Sequence, residues 1–378
     1  MILDITGMGA VASVGSTPEE IHSRLCQGRL GLAEVTAFDL SGYRQKRAYP
    51  IADRPVGGSD VPQRATGFLH TAVRQALADA GIADRASSCP VLVGTTHREQ
   101  RSVELWWRDG YPVRFPDLSF DAGLRAEFGF TDTYTFANAC SASLTMLGMA
   151  QDLIEHDLAD TVVVAGTDVM TESTFGAFDR IQNVPDQVRP FGRSRKGMMM
   201  GEGAVAVVLE RPGPDRTRTR ARLRGVGMNC DASHATAPNA TSVEAAVVQA
   251  HQRAGIAPDD VGLVMLHGTG TVLNDQTEAA VLHSVFGRVA TQPMLTAIKS
   301  MTGHTLGGSG LLSLVTATLS MRRGLVPPTA GLDELMDEAK GLDLVHGQAR
   351  AAEVSLAQIN AIGMGGLNAI AIVEGVAA

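Results

Sequence analysis

Val261-Gly-Leu-Val-Met-Leu-His267-Gly-Thr-Gly-Thr271 runs from an apolar segment into a turn of small residues, and a helical pattern follows from Thr277 to Phe286. Met294-Leu-Thr-Ala-Ile-Lys299-Ser-Met-Thr-Gly-His304 repeats that grammar and leads into an apolar helical pattern from Gly310 to Met321. A short buried strand, a glycine-rich turn and a helix make the repeating unit of α/β folds. Working outward, strand signals at Ile2 to Thr6, Val91 to Gly94, Val162 to Ala165 and Ala204 to Leu209 alternate with helical patterns around Phe68 to Ala80 and Ser143 to Glu155. Beyond Arg211-Pro-Gly-Pro-Asp-Arg216 the alternation starts again, with a strand at Ala221 to Val226, a helix at Val243 to Ala254, the two stretches quoted above, and closing strands around Ser355 to Asn360 and Ala369 to Val373. The pattern predicts an α/β protein with mainly parallel strands, in two comparable halves, 1–212 and 213–378.

Composition narrows the function classes. No apolar stretch approaches the roughly 18 residues of a membrane span, and the chain opens on a strand-like segment instead of a signal peptide, so a cytoplasmic protein is expected. Cys26, Cys89, Cys140 and Cys230 are far apart and lack metal-ligand spacing, which points to reduced thiols and to no metal. A net charge of −8 argues against general nucleic-acid binding, which needs an electropositive face. Any acidic partner requires a local basic patch, and two are visible: Arg189, Arg193, Arg195 and Lys196, and the run Arg216, Arg218, Arg220, Arg222, Arg224. The run reads as a solvated linker or edge strand. Gly7-Met-Gly-Ala-Val-Ala12 fits a dinucleotide-binding pattern, but no acidic residue follows a second strand at the required distance. These glycines are read as a tight turn that packs strand on helix.

Asn138-Ala-Cys140-Ser-Ala-Ser143 precedes a long apolar helical pattern. A cysteine there meets the positive end of a helix dipole and unpaired N–H groups, which favour the thiolate; a small buried hydrophobe is the plain alternative. His267 at a strand's carboxyl end and His304 near a helix N-terminus tilt the reading toward a site, because α/β sheets carry their sites there. Lys299 ends the same strand as the His304 turn, and Glu278 lies on the helix after His267.

With these segments together, the chain resembles the β-ketoacyl synthases, the decarboxylating condensing enzymes of fatty acid and polyketide synthesis. The likeness is carried by the cysteine segment, His267-Gly-Thr-Gly-Thr271, Lys299-Ser-Met-Thr-Gly-His304, Arg189-Pro-Phe-Gly-Arg-Ser-Arg-Lys-Gly-Met-Met-Met-Gly-Glu-Gly-Ala204, Asp231-Ala-Ser-His-Ala-Thr-Ala-Pro238 and Gly363-Met-Gly-Gly-Leu-Asn368, in the family's order from about residue 2 to 373. It implies the thiolase-like fold, two βαβαβαββ halves stacked as α-β-α-β-α layers, and a dimer with itself or with a ketosynthase-like paralogue. It implies Cys140 as nucleophile, His267 and His304 as decarboxylation residues, and Lys299 as an orienting charge with Glu278 as its ion-pair partner. The backbone N–H groups of Cys140 and Met364 are implied as an oxyanion hole. Thr269, Thr271, Ile362, Met364 and Met199 are expected to line the substrate pocket, and Arg195 and Arg64 to meet an acyl carrier protein. No bound cofactor is expected, the substrates being carried on the carrier's phosphopantetheine. Met364 stands where the family usually has phenylalanine, and Met198-Met199 where Phe-Val is usual, so an altered acyl gate is expected. Two other readings keep the fold: a non-catalytic partner subunit that shapes chain length, which typically lacks the cysteine, and an acyltransferase without decarboxylation.

Overall fold

The computed structural model describes residues 1–54, 60–213 and 217–376. Strand β1 (Leu3–Ala12), helix α1 (Arg64–Ala80), strands β2 (Val91–Thr95) and β3 (Thr133–Ala137), helix α2 (Ala142–Glu155) and strands β4 (Thr161–Asp168) and β5 (Gly203–Glu210) build the first half. Strand β6 (Ala221–Cys230), helix α3 (Ala240–Ala254), strand β7 (Leu263–Met265), helix α4 (Val272–Phe286), strand β8 (Met294–Thr296), helix α5 (Ser309–Arg323) and strands β9 (Leu356–Gly363) and β10 (Leu367–Gly375) build the second. The strand orders are β1-β5-β4-β2-β3 and β6-β10-β9-β7-β8, so each strand has a counterpart in the other half. Leu3, Asp4 and Ile5 pair with Leu223, Arg222 and Ala221 and join the halves into one ten-stranded sheet.

The expectation of mainly parallel strands is corrected. β2 runs parallel to β3 and β4, and β7 parallel to β8 and β9, but β5 and β10 run antiparallel to their neighbours. In the second half the reason is local: β9 turns straight back into β10, with Gly363 paired to Leu367, and a direct return is antiparallel. The sequence reading also passed over β3, an edge strand whose Thr-Tyr-Thr-Phe-Ala side chains are half-buried or exposed.

Helices α2 and α5 lie between the half-sheets, each touching strands of both, while α1 covers the outside of the first and α3 the outside of the second. The α-β-α-β-α layering follows. Every residue of α5 from Ser309 to Ser320 is buried, as a helix sandwiched between two sheets must be. Each large side chain buried there, such as Leu311 and Leu314, contributes roughly 1.5–3 kcal/mol. Gly7 and Gly9 sit inside β1 and not in a turn. A Cβ on Gly9 would lie 2.0 Å from the Ala72 carbonyl oxygen of α1, so these glycines let strand and helix approach closely. The boundary stretch Arg211–Arg216 separates β5 from β6, its residues 214–216 falling outside the described part. Of the arginine run, Arg216 also falls outside it; Arg218 donates to the Ala80 carbonyl, and Arg220, Arg222 and Arg224 face Asp79, Asp4 and Glu374.

Candidate active site

The N-termini of α2 and α5 meet at the centre of the molecule, where Leu311 N–H donates to Ser143 Oγ (3.2 Å). Cys140 sits in the one-turn segment Ala139–Ser141 between β3 and α2, with Ala139 in the left-handed region at φ 49°. That conformation is costly for a residue with a side chain and marks a position fixed by its surroundings. The thiol is buried. The nearby backbone N–H groups of Met364 and of Cys140 itself and the Lys299 charge favour the thiolate, yet burial outweighs them and pushes the thiol up to about 11. Desolvation of the anion thus works against the thiolate preference expected at a helix end.

Both histidines are set by backbone clamps. The N–H groups of His267 and Gly268 donate to the two oxygens of Glu278 (2.7 and 2.9 Å), and Asn360 donates to the same carboxylate (2.9 Å). Lys299 Nζ donates to the His267 carbonyl at 2.5 Å and stands 3.5 Å from its Nδ1. An ammonium can only donate, so Nδ1 is a lone pair and the His267 proton is on Nε2. His304 Nδ1 accepts the Leu306 N–H (3.2 Å), which likewise places its proton on Nε2, an atom with no hydrogen-bond partner among the described residues. The two rings stand edge to face with centroids 5.4 Å apart. Burial and the nearby Lys299 charge hold both imidazoles well below their ordinary value, hence neutral. Burial also draws Lys299 down to about 8, against the attraction of Glu278. Glu278 is thus a clamp on the His267 turn and attracts Lys299 only from beyond ion-pair distance, which corrects the expected pairing.

Cys140, His267 and His304 open on one cavity of about 810 Å³, and Thr269, Thr271, Ile362 and Met364 line it too. Met199 does not. It packs against Tyr49 and Val188 and supports the site through its carbonyl, which accepts the His304 N–H (2.9 Å), while Met198 lines the cavity. The expected carrier contacts are also corrected. Arg64 is buried against Glu202 and Asp53 (2.6 Å each). Arg195, with its side chain 7 % exposed, donates to the Gly192 carbonyl. Neither can face a partner. The cations lining the cavity mouth are Arg44, Arg180 and Lys196.

Two groups were not expected. Asp168, fully buried at the end of β4, accepts the N–H groups of Thr96, His97 and Gly307 (2.9, 2.8 and 2.8 Å) and the Thr95 hydroxyl (2.9 Å), tying the ends of β2 and β4 to the His304 turn. The only sequence signal was an acid closing the apolar run Val162 to Thr167. His97 is a third imidazole on the same cavity. Among the described residues no cluster of His, Cys, Asp or Glu has the makings of a metal site, and no helix is long and apolar enough to cross a membrane.

A cysteine, two neutral imidazoles and convergent N–H groups open on one cavity, a set suited to acyl transfer. The chain belongs to the β-ketoacyl synthase family: the family's N-terminal domain matches residues 3–213 and its C-terminal domain residues 220–333. It is similar to the 3-oxoacyl-[acyl-carrier-protein] synthase 2 of Coxiella burnetii (27 % identical, 96 % of each chain covered). It is also similar to the ketoacyl synthase alpha subunit of the tetracenomycin polyketide synthase of Streptomyces glaucescens (29 % identical, 97 % of this chain and 96 % of that one). Among solved structures, the ishigamide ketosynthase/chain length factor matches with a TM-score of 0.89 at 30 % identity, over 99 % of both chains. The protein is a β-ketoacyl synthase, an acyltransferase of the kind that serves fatty acid and polyketide synthesis.

Proposed function

We propose that this synthase takes an acyl chain from the phosphopantetheine of an acyl carrier protein onto Cys140 and condenses it with a malonyl-type thioester. In the first half-reaction the Cys140 sulfur–acyl bond forms, the donor's carbon–sulfur bond breaks, and the Cys140 proton leaves with the carrier thiol. In the second, the malonyl carboxylate departs as CO2 and its electron pair becomes an enolate, whose oxygen the Nε2–H groups of His267 and His304 stabilise as charge develops. The carbanion attacks the acyl carbonyl, whose oxyanion rests on the N–H groups of Cys140 and Met364, and the Cys140 thiolate leaves. Lys299 is a positioning residue: by donating to the His267 carbonyl and Nδ1 it keeps that imidazole's proton on Nε2. The observation that carries this reading is the pair of neutral imidazoles, 5.4 Å apart, beside a buried thiol.

Intact-protein mass spectrometry with acyl carriers is expected to find one acyl group on the wild type and none on Cys140→Ala. Malonyl carrier should then release CO2 and yield a lengthened β-ketoacyl carrier. Acylation that survives in Cys140→Ala, or an acyl-enzyme inert to malonyl carrier, would overturn the reading.

An acidic carrier and its phosphate are met at the mouth by Arg44, Arg180 and Lys196, beside the exposed Ile181, Val272 and Leu273. Reversing charge with Arg180→Glu is expected to raise KM for carrier-borne donors about tenfold while leaving a small pantetheine thioester unaffected. Equal effects on both would sink this docking site. The protein is proposed to work in the cytoplasm as a dimer. β3 ends its half-sheet and exposes Tyr134, and the turn Phe115–Leu118 exposes Phe115, apolar surface suited to a second copy or a ketosynthase-like paralogue.

A further inference from the structure

We infer that His97, with Thr96 and Thr174, makes the Cys140 cavity select acyl chains that carry a hydroxyl or carbonyl group close to the thioester over saturated alkyl chains, an inference that rests on the condensing-enzyme reading above. All three residues line the cavity that holds Cys140 and His304. The His97 ring is fixed from two sides: its backbone N–H donates to Asp168 (2.8 Å), and its Nε2 stands 3.0 Å from the Thr174 hydroxyl. Thr96 Oγ1 and His97 Nδ1 are buried, and among the described residues no group pairs with either. The nearest carboxylate oxygen to Nδ1, on Asp168, is 4.0 Å away, too far for a hydrogen bond, and already accepts the Thr95 hydroxyl and the His97 N–H.

His97 also forms the wall of a second cavity of about 440 Å³ that contains Gln100, Phe115 and Ser119. His97 therefore borders both the chamber of the nucleophile and this second space. The rest of the chamber is apolar where Met198, Phe178, Leu306 and Ile362 line it, and a few polar groups on an apolar lining orient a ligand instead of merely holding it. Thr96 Oγ1 and His97 Nδ1 are already dehydrated, and an alkyl chain laid against them leaves both unpaired. A chain with an oxygen there restores a hydrogen bond, and such sites discriminate against the analogue that lacks the group.

The test is a competition on the full-length chain. Equal amounts of hexanoyl and 3-oxohexanoyl pantetheine, and separately hexanoyl and 3-hydroxyhexanoyl pantetheine, are offered to the wild type, His97→Leu and Thr96→Val. Mass spectrometry then reads the ratio of acyl groups on Cys140 at early times. The wild type is expected to favour an oxygen-bearing chain about tenfold, the ratio one hydrogen bond supplies. His97→Leu should bring the ratio to parity or reverse it, and Thr96→Val should move it the same way by less. Because the ratio is internal to each sample, partial unfolding of a variant does not alter it. A wild type that prefers hexanoyl, or a ratio that neither variant moves, overturns the inference. A wild type acylated by no thioester at all overturns the condensing-enzyme reading, and the selectivity falls with it.

Discussion

Leucine in place of His304 is expected to slow CO2 release from a malonyl thioester by about 100- to 1,000-fold, the effect of removing one fixed donor from a developing oxyanion. The size follows from the site's geometry. The His304 Nε2–H has no partner among the described residues, the Leu306 N–H holds the ring's other nitrogen, the Met199 carbonyl holds the backbone, and the cavity that it lines is shared with Cys140. A donor already oriented and already dehydrated needs no rearrangement when the enolate forms. His304→Gln retains an N–H group, so a milder loss of about tenfold is expected, and the difference between the two variants separates a donor role from simple damage to the turn. The neutral state of the ring adds a pH signature. Burial and Lys299 depress the imidazole well below its ordinary value, so the neutral form persists as pH falls, and kcat should show no imidazole titration between about pH 6 and 8. An acid limb centred near the ordinary histidine value, or CO2 release undiminished in His304→Leu, would mean that His304 does not act as a neutral donor.

What could be read in the sequence depended on how local the signal was. Cys140, His267 and His304 each sit in a turn of small residues at a strand's end, and a strand, a turn and a helix are all visible within some twenty neighbouring letters. The pairing of the halves was legible for the same reason. Contacts between distant segments were not. Glu278 was assigned to Lys299 because both carry charge near the motifs, yet a buried carboxylate with three N–H donors within 2.9 Å is satisfied by them. Arg64 reads as a surface cation until Glu202, 138 positions away, closes on it. The acid closing Val162 to Thr167 did not announce that Asp168 would tie the ends of β2 and β4 to the His304 turn, and nothing around His97 announced that it would line the nucleophile's chamber. Met198 and Met199 are adjacent and chemically alike, and only the packing of Met199 against Tyr49 and Val188 tells them apart.

Glu202→Leu is expected to destabilise the protein by about 3–5 kcal/mol at neutral pH, the loss that follows when one member of a buried ion network is deleted. The Glu202 carboxylate is fully buried, accepts from Arg64 at 2.6 Å and Arg54 at 2.8 Å, and also accepts the Ile51 and Met170 N–H groups (2.9 and 3.2 Å). Asp53 and Asp60 would stay paired with Arg64 and Arg54 (2.6 and 3.0 Å), but Asp60 is shared with Arg101 (2.8 Å), and leucine would leave the Ile51 and Met170 N–H groups unpaired as well. The pH dependence has a definite sign. Burial raises the carboxyl's pKa, but Arg64 and Arg54 more than reverse that and bring it from the ordinary 4.5 down to about 2. A depressed acid stabilises fully above its unfolded value and loses that stabilisation as pH falls toward the folded one. The gap in urea midpoint between wild type and Glu202→Leu should therefore be widest at neutral pH and shrink steadily once pH drops below about 4.5. A variant within about 1 kcal/mol of the wild type at neutral pH, or a gap that ignores pH, would show that the network does not hold the fold. The consequence reaches the active site, because Gly201, next along the chain, donates its N–H to the His304 carbonyl at 2.9 Å. Loosening the carboxylate loosens the strand end that His304 leans on, so milder variants such as Glu202→Gln should lose condensing activity at temperatures where the sheet is still folded.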